Sequence, residues 1–335
     1  RRAIALRYLA DGLTVPVDEI IVTNGALDAL NLSLAAVTRP GDAVIVESPT
    51  FYAALQSLER NGLHAIEVAT HPRVGIDLDA LEDAILQHRP RACWLMTTFQ
   101  NPLGSLMPDE KKEALVKLLT RHDVALIEDD VYGELYFGES RPRPAKAFDT
   151  EGIVMHCASF SKTLAPGYRV GWVAGGRYTR QIMRNKLTTS LATPAPTQAA
   201  IAAYLEKGGF DRHLRQFRQA LALQQGELLQ AVARYFPKGT RATRPLGGYF
   251  TWVELPARID TLRLHRAALD HGISIAPGPL FSATGGFGNF LRLLGEPARA
   301  AQVHFLAPIG SQDLEGRRRI AETSRARIVA VMEGP

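Results

Sequence analysis

Short apolar runs rich in β-branched residues alternate with longer amphipathic stretches along the first half of the chain. The apolar runs predict strands at 20–23, 43–46, 65–68, 92–96, 124–127, 153–157 and 170–174. The amphipathic stretches predict helices at 26–37, 51–60, 78–87 and 108–121. Strand runs that are apolar at successive positions are expected to be buried on both faces. Their alternation with helices predicts an α/β fold with a largely parallel sheet.

The pattern changes near residue 211. From there it predicts a long helix at 211–235, an alternating strand at 247–255, a helix at 262–270 and a short strand at 273–275. We therefore expect a large domain over residues 1–210 and a small α+β domain over residues 211–335. Two domains fit 335 residues, since a domain has about 100–200 residues. The first six residues read as the middle of a helix, so we expect a missing N-terminal segment upstream.

The composition is that of an ordinary globular protein, with 46% apolar and 22% charged residues. The net charge of +5 permits anionic ligands without indicating nucleic acid, and the basic run at 317–319 is interpreted as a solvated helix face. No apolar run reaches the about 20 residues that span a bilayer, so no membrane association is expected. Cys93 and Cys157 cannot build a disulfide framework, which favours a reducing, cytoplasmic location.

Candidate chemical residues follow the predicted strands, where open α/β sheets bind their ligands. Segment 23–26 leads into a helix N-terminus, where free N–H groups suit a phosphate, although a glycine at such a turn is more often only a tight connection. Segment 101–104 reads as a proline-containing turn. The acids at 128–130 end the most apolar strand and need partners if buried. Two interpretations of these acids are open. One is a metal site, although we find no histidine nearby, since His122 precedes the strand. The other is a single carboxylate paired with a cationic ring nitrogen.

Lysine is rare, with eight lysines and 31 arginines. Lys111, Lys112 and Lys117 are predicted to lie on the polar side of an amphipathic helix. Helical, turn or proline-rich surroundings account for four more, namely Lys146, Lys186, Lys207 and Lys238. Only Lys162 follows a strand, beside two serines and ahead of Arg169. A lysine in this place can bind a phosphate or, with a lowered pKa, act as a Schiff-base nucleophile.

Four segments carry a resemblance when they are taken together: Thr-Asn-Gly-Ala (23–26), Gln-Asn-Pro-Leu-Gly (100–104), Asp-Asp-Val-Tyr (129–132) and Ser-Phe-Ser-Lys-Thr-Leu-Ala-Pro-Gly-Tyr-Arg-Val-Gly-Trp (159–172). In order and spacing they resemble the motifs of the fold-type I, class I/II aminotransferases, which use pyridoxal 5'-phosphate. The resemblance covers roughly residues 12–293. It implies a mostly parallel sheet with helices on both faces, a smaller C-terminal α+β domain, and a homodimer.

The resemblance also implies the roles of the reacting residues. Lys162 is expected to form a Schiff base with the cofactor and then to move the Cα proton. Asp129 is expected to pair with the pyridinium nitrogen, which keeps the ring an electron sink. Asn101 and Tyr132 are expected to bind the ring 3-oxygen, and Asn101 is also assigned to the substrate. No metal is expected.

The resemblance also implies which residues bind the cofactor ring, its phosphate and the substrate. Phe51 is expected to stack on the ring, with Tyr52 as the alternative. The residues expected around the phosphate are Gly25, Ala26, Leu27, Ser159, Ser161 and Arg169. Arg292 resembles the arginine that clamps the substrate α-carboxylate, although a surface arginine on a strand is the alternative.

Segments 127–135, 161–169 and 247–256 narrow the resemblance to two groups. One is the aminoadipate/kynurenine-type aminotransferases, which implies transfer of an amino group between an amino acid and a 2-oxo acid. The other is the MocR/GntR-type regulators, which implies an amino-acid-sensing domain that contacts DNA only through a separate N-terminal domain. Carbon–sulfur lysis and decarboxylation are minor alternatives. After Leu293 the sequence departs from the family pattern, and motifs for nucleotide, zinc-protease and α/β-hydrolase chemistry are absent.

Overall fold

The computed structural model describes residues 1–283. An eight-stranded sheet forms its centre, with the spatial order β1-β8-β7-β6-β5-β2-β3-β4. The strands are β1 (Ile20–Thr23), β2 (Ala43–Ser48), β3 (His64–His71), β4 (Gly75–Ile76), β5 (Ala92–Leu95), β6 (Ala125–Asp129), β7 (Val154–Ser159) and β8 (Gly171–Ala174). Strands β3, β2, β5, β6 and β7 are mutually parallel, whereas β1, β8 and β4 pair antiparallel with their neighbours. The predicted α/β fold with a mostly parallel sheet is confirmed.

The six helices that were predicted with bounds begin and end within two residues of those positions, whereas the helices at 179–189 and 195–206 were not predicted. The helices are α1 (Arg2–Ala10), α2 (Ala26–Val37), α3 (Tyr52–Arg60), α4 (Leu78–His88), α5 (Asp109–Arg121), α6 (Thr179–Thr189), α7 (Ala195–Glu206), α8 (Gly209–Tyr235) and α9 (Thr261–Asp270). Asp77 caps α4 by accepting from the backbone N–H groups of Asp79 and Ala80. Among the described helices, none is both long enough and apolar enough to cross a membrane.

Alternate residues of the central strands belong to two separate hydrophobic clusters. Val44 and Val46 pack with α2 residues such as Leu30, whereas Ile45 packs with Leu81 of α4 and Leu115 of α5. Because successive strand side chains point to opposite faces, the two clusters are the two faces of the sheet. Helices therefore cover both faces, and the polar residues that carry chemistry are left to the strand ends.

Residues 1–222 and 243–252 form one compact unit, and residues 223–242 form another with the described residues from 253 onward. The second unit contains β9 (Arg241–Ala242) paired antiparallel with β10 (Val253–Glu254). The predicted long strand at 247–255 is wrong, because only its last part is β10 and Gly247 instead forms an isolated bridge with Tyr136. Within residues 1–283 the predicted strand at 273–275 is also absent. The boundary at residue 210 stays a prediction.

Candidate active site at the strand ends

The predicted site residues follow four strands that end at one edge of the sheet. Strands β5, β6 and β7 are parallel, so their carboxyl ends lie together. Strand β8 is antiparallel to both β7 and β1, so β1 ends at the same edge. In the register of the sheet, Gly171 lies between Thr23 on one side and Ser159 on the other. The segments after β1 and β7 are therefore brought together at this edge.

The turn after β1 forms an anion-binding arrangement with Arg169. Helix α2 begins at Ala26, and no side chain caps its first N–H groups at Gly25. The Arg169 guanidinium donates from Nη2 to the Asn24 carbonyl at 2.9 Å and from Nη1 to Ser161 Oγ at 3.2 Å. A guanidinium beside an open helix N-terminus suits a phosphate through charge and through N–H donors.

Glycine is required at two places in this turn. Gly25 has φ of +96°, and a side chain there would collide with the Arg169 guanidinium. At Gly171 a Cβ atom would lie 2.8 Å from the Ala26 nitrogen. Both glycines therefore allow β8 and Arg169 to approach the start of α2.

The other predicted phosphate residues lie in the same place. Ala26 and Leu27 form the first turn of α2, and Leu27 is exposed. Ser159 ends β7 and is buried, and its Oγ accepts a hydrogen bond from the Ser161 N–H at 3.3 Å. All the residues predicted around the phosphate therefore lie at the same edge of the sheet.

Asp129, the last residue of β6, is a buried acid that lacks a full set of partners. Its side chain is 2% exposed, and Oδ1 has no hydrogen-bond partner among residues 1–283. Burial and the neighbouring charge of Asp130 raise the pKa of Asp129 to about 7, against hydrogen bonds from Trp94 and Val131 and the charge of Lys162. A buried carboxylate oxygen of this kind fits a cationic N–H donor such as a pyridinium ring.

Tyr132 and Asn101 provide neutral hydrogen-bonding groups near this acid. Burial and the charge of Asp129 raise the pKa of Tyr132, while a hydrogen bond with the Asn101 side chain acts in the opposite direction. Tyr132 therefore remains a protonated donor at neutral pH. Asn101 Oδ1 is buried and has no hydrogen-bond partner, so the pair retains capacity for a polar ligand group.

Lys162 follows β7 and is half-buried. Burial lowers the pKa of Lys162, the charge of Asp129 opposes the shift, and the charge of Arg169 adds to it. A lowered pKa increases the fraction of neutral amine, which is the nucleophilic form. Lys162 thus has an amine with a lowered pKa, and it lies near the Asp129 carboxylate and the Arg169 guanidinium.

Two predicted residues are less fully placed. Phe51 is half-buried and directly precedes α3, with its ring centre 5.0 Å from that of the more exposed Tyr52, so either ring remains a candidate for stacking. Arg292 lies outside the described residues, and its assignment to the substrate carboxylate stays a prediction.

A buried polar network beside Asp129 was missed from the sequence. Asp130 Oδ2 accepts from His156 Nε2 at 3.0 Å and from Arg141 Nη2 at 2.9 Å. His156 Nδ1 lies 2.6 Å from the Tyr8 hydroxyl, which also accepts from Trp172 Nε1 at 2.9 Å. The prediction that no histidine lies near the acids was wrong, because His156 comes from β7, the neighbouring strand of β6.

The third acid, Glu128, also has partners of its own. It accepts from the Thr97 hydroxyl at 2.6 Å and from the backbone N–H groups of Ala145 and Lys146 at 2.6 and 3.1 Å. Within the described residues no group of three or more histidine, cysteine and acidic side chains could hold a metal ion.

One lysine was also misplaced. Lys112 is fully buried, and its Nζ donates to Thr98 Oγ1 at 3.0 Å and to the Arg143 carbonyl at 2.5 Å. The pattern contained the evidence, since Lys112 falls in the apolar stripe of α5 with Leu115 and Leu119. The buried Lys146 pairs with Glu19 at 2.7 Å.

Comparisons with known proteins show which family the chain belongs to. The family model for aminotransferase class I and II matches residues 1–294. The HTH-type transcriptional regulator YdcR of Escherichia coli K12, described as uncharacterized, is 52% identical over 292 residues, which are 87% of this chain and 62% of YdcR. The 2-aminoadipate transaminase of Thermus thermophilus is 35% identical over 85% of this chain and 72% of its own.

The structure is similar to a crystal structure of LysN, the alpha-aminoadipate aminotransferase of Thermus thermophilus. The TM-score is 0.83 at 30% identity, over 99% of this chain and 81% of LysN. That crystal structure contains N-(5'-phosphopyridoxyl)-L-leucine. The chain spans only 62% of the length of YdcR, the regulator that it matches. These likenesses confirm the fold type and the two related groups that the sequence motifs indicated.

Proposed function

Since the chain belongs to the family of class I and II aminotransferases, we propose that it uses pyridoxal 5'-phosphate to move an amino group between an amino acid and a 2-oxo acid. One observation carries this proposal. Lys162, the buried Asp129 with its unpartnered Oδ1, and the Arg169 guanidinium beside the turn at Gly25 all lie at one edge of the sheet. When bound, the cofactor supplies an electron sink for the negative charge that develops at the substrate Cα.

Each residue has a task in this proposal. Lys162 attaches the cofactor and then holds and moves the Cα proton, for which a lowered pKa is suited. Asp129 holds the ring nitrogen, Tyr132 and Asn101 hold the ring oxygen, and Phe51 lies against the ring. The phosphate is held by Gly25, Ala26, Leu27, Ser159, Ser161 and Arg169.

We assign the substrate carboxylate to Arg292 and Asn101, and we propose a cytoplasmic homodimer. Support for a second copy comes from α6 and the turn after it, where Met183, Leu187 and Leu191 are exposed. An exposed apolar surface of this kind is typical of an interface. Light scattering of the purified protein tests the proposed dimer.

A second candidate function is favoured by the likeness to YdcR. The same site would bind the cofactor and an amino acid with little turnover, as the effector-sensing domain of a MocR/GntR-type regulator. DNA contact would then belong to a separate N-terminal domain. Both functions require Lys162 and Asp129, so the site geometry alone favours neither.

A half-reaction assay separates the two functions. The protein is loaded with pyridoxal phosphate and mixed with single amino acids, and the absorption spectrum and the 2-oxo acid products are followed together. Catalytic release of 2-oxo acid on addition of a second 2-oxo acid supports the aminotransferase, whereas a spectral change without product supports the sensor. Lys162→Ala is expected to abolish both responses, and Lys207→Ala, at an exposed lysine, serves as the control. Absence of any response in the unmodified protein contradicts both functions.

A further inference from the structure

Two consecutive backbone carbonyls at the lysine are held by side chains from distant parts of the chain. The Tyr249 hydroxyl donates to the Lys162 carbonyl at 2.6 Å. His213 Nε2 lies 3.0 Å from the Thr163 carbonyl. Because a carbonyl only accepts, Tyr249 must supply its O–H and His213 must carry its proton on Nε2. The peptide unit after Lys162 is therefore fixed from outside its own loop.

The two donors support one another through aromatic contacts. The His213 ring stacks on Phe217, with ring centres 5.4 Å apart and planes 20° apart. Phe217 in turn meets Tyr249 edge-on at 6.0 Å, and Tyr249 meets Tyr132 edge-on at 5.7 Å. Rings in edge-on and stacked contact restrict each other's rotation. A continuous row of rings thus links the lysine backbone to Tyr132, one of the proposed ring-oxygen ligands.

A glycine pair places Tyr249. The Gly248 N–H donates to the Leu135 carbonyl at 2.8 Å, and its φ of +78° is accessible mainly to glycine. A side chain at Gly247 would collide with the Phe99 ring. The segment before Tyr249 therefore lies tightly against the loops after β5 and β6. This anchoring gives the Tyr249 hydroxyl a defined position relative to Lys162.

We propose that Tyr249 is a positioning residue that sets the Lys162 backbone for attack on the cofactor carbonyl, with His213 as its weaker partner. The inference rests on the proposed function. A held carbonyl fixes the ψ angle of Lys162 and hence the direction from which its amine approaches. Burial raises the pKa of Tyr249, which keeps the phenol a donor at every pH at which the site works. The hydrogen bond to the Lys162 carbonyl needs the phenol hydroxyl. Tyr249→Phe therefore keeps the packing of the ring but loses this hydrogen bond.

The first test needs no cofactor. In Tyr249→Phe, hydrogen–deuterium exchange of the peptide covering residues 160–165 is expected to be about fivefold faster, the effect of one lost hydrogen bond. The matched control is Tyr204→Phe, since Tyr204 is 38% exposed and Tyr249 is 37% exposed. Unchanged exchange at 160–165, or faster exchange over the whole chain with a lower Tm, overturns the proposal.

The second test follows attachment of added pyridoxal phosphate, in which the Lys162 nitrogen replaces the carbonyl oxygen and water is released. Tyr249→Phe is expected to slow attachment about fivefold. Its affinity for pyridoxamine phosphate, which has no carbonyl to attack, should stay at the wild-type value. His213→Phe keeps the stacking and is expected to give a smaller change in the same direction. Equal attachment rates in wild type and Tyr249→Phe overturn the inference, whereas no attachment in wild type contradicts the proposed function instead.

Discussion

Asp129 and Asp130 are neighbours at the end of one strand, and they are 2% and 4% exposed. Burial acts to raise the pKa of both, but at Asp130 the hydrogen bond from His156 and the charge of Arg141 outweigh it, so that its pKa is lowered. At Asp129 no contact of that strength opposes burial, and its pKa rises to about 7. Within residues 1–283 each acid has one oxygen without a hydrogen-bond partner, and of the two acids only Asp130 has a cation in contact with its other oxygen.

The comparison separates an acid that is paired within the protein from the acid that we propose to bind the cofactor. Arg141 compensates the charge of Asp130. In the described part of the protein, no cation is in contact with the Asp129 carboxylate. A protonated ring nitrogen supplies such a cation.

Removal of the cation that compensates Asp130 should have the largest effect. Arg141→Met leaves Asp130 buried beside His156 alone and also breaks the 2.6 Å pair with Asp11. Breaking a buried ion pair on one side costs about 4 kcal/mol, so the free energy of unfolding in urea should fall by about that amount. Arg212→Met, at an exposed arginine of α8, should change it by less than about 0.5 kcal/mol. If Arg141→Met changed the free energy of unfolding no more than Arg212→Met, the ion pair with Arg141 would not compensate the charge of Asp130.

Replacement of the uncompensated acid should affect the reaction. Asp129→Asn keeps the shape but cannot bind a protonated ring nitrogen as an ion pair, so the rate of amino-group transfer should fall about 100-fold. Steady-state kinetics with a responsive amino acid measure this loss. A rate within about twofold of wild type would remove Asp129 from the proposed cofactor contacts.

The same substitution should stabilise the protein without cofactor. Because the folded pKa of Asp129 is raised from 3.8 to about 7, the folded protein binds more protons than the unfolded chain between these values, and the contribution of Asp129 to stability falls as pH rises through them. Asp129→Asn should therefore be more stable than wild type by about 4 kcal/mol at pH 8, since one pKa unit corresponds to about 1.4 kcal/mol, with the difference disappearing near pH 4. Buried Glu47 has a pKa raised to about 8 and titrates in the same window, so only the difference between the two proteins isolates Asp129.

Asp130→Asn should behave in the opposite way. The lowered pKa of Asp130 stabilises the fold above about pH 4, and that stability is lost as pH falls through the folded pKa. The variant should thus be less stable than wild type at pH 8, by an amount that shrinks in acid. Denaturation curves of both variants at several pH values give the two signs, and equal signs would refute the comparison.

The smallest effect is expected at the far end of the network. Tyr8→Phe removes the hydroxyl between Trp172 and His156, which leaves two buried polar groups without that partner. A loss of about 1 kcal/mol in the free energy of unfolding is expected, with no change in transfer rate. A large loss of rate would instead connect the network to the reaction.

The sequence predicted what depends on residues close together along the chain. The apolar runs located seven of the eight sheet strands within a few residues but missed the two-residue β4, and the residues after those runs proved to lie at one edge. His156 was missed because its partner Asp130 comes from the neighbouring strand, a relation that spacing does not encode. The strand at 247–255 failed because Gly247 and Gly248 serve close backbone approach rather than strand pairing.

The most direct test of the account is the identity of the lysine that binds the cofactor. The protein is incubated with pyridoxal phosphate, reduced with borohydride, digested and sequenced by mass spectrometry. The account predicts a phosphopyridoxyl group on Lys162 and on none of the other seven lysines. A label on another lysine, or a protein that carries no label, would contradict it.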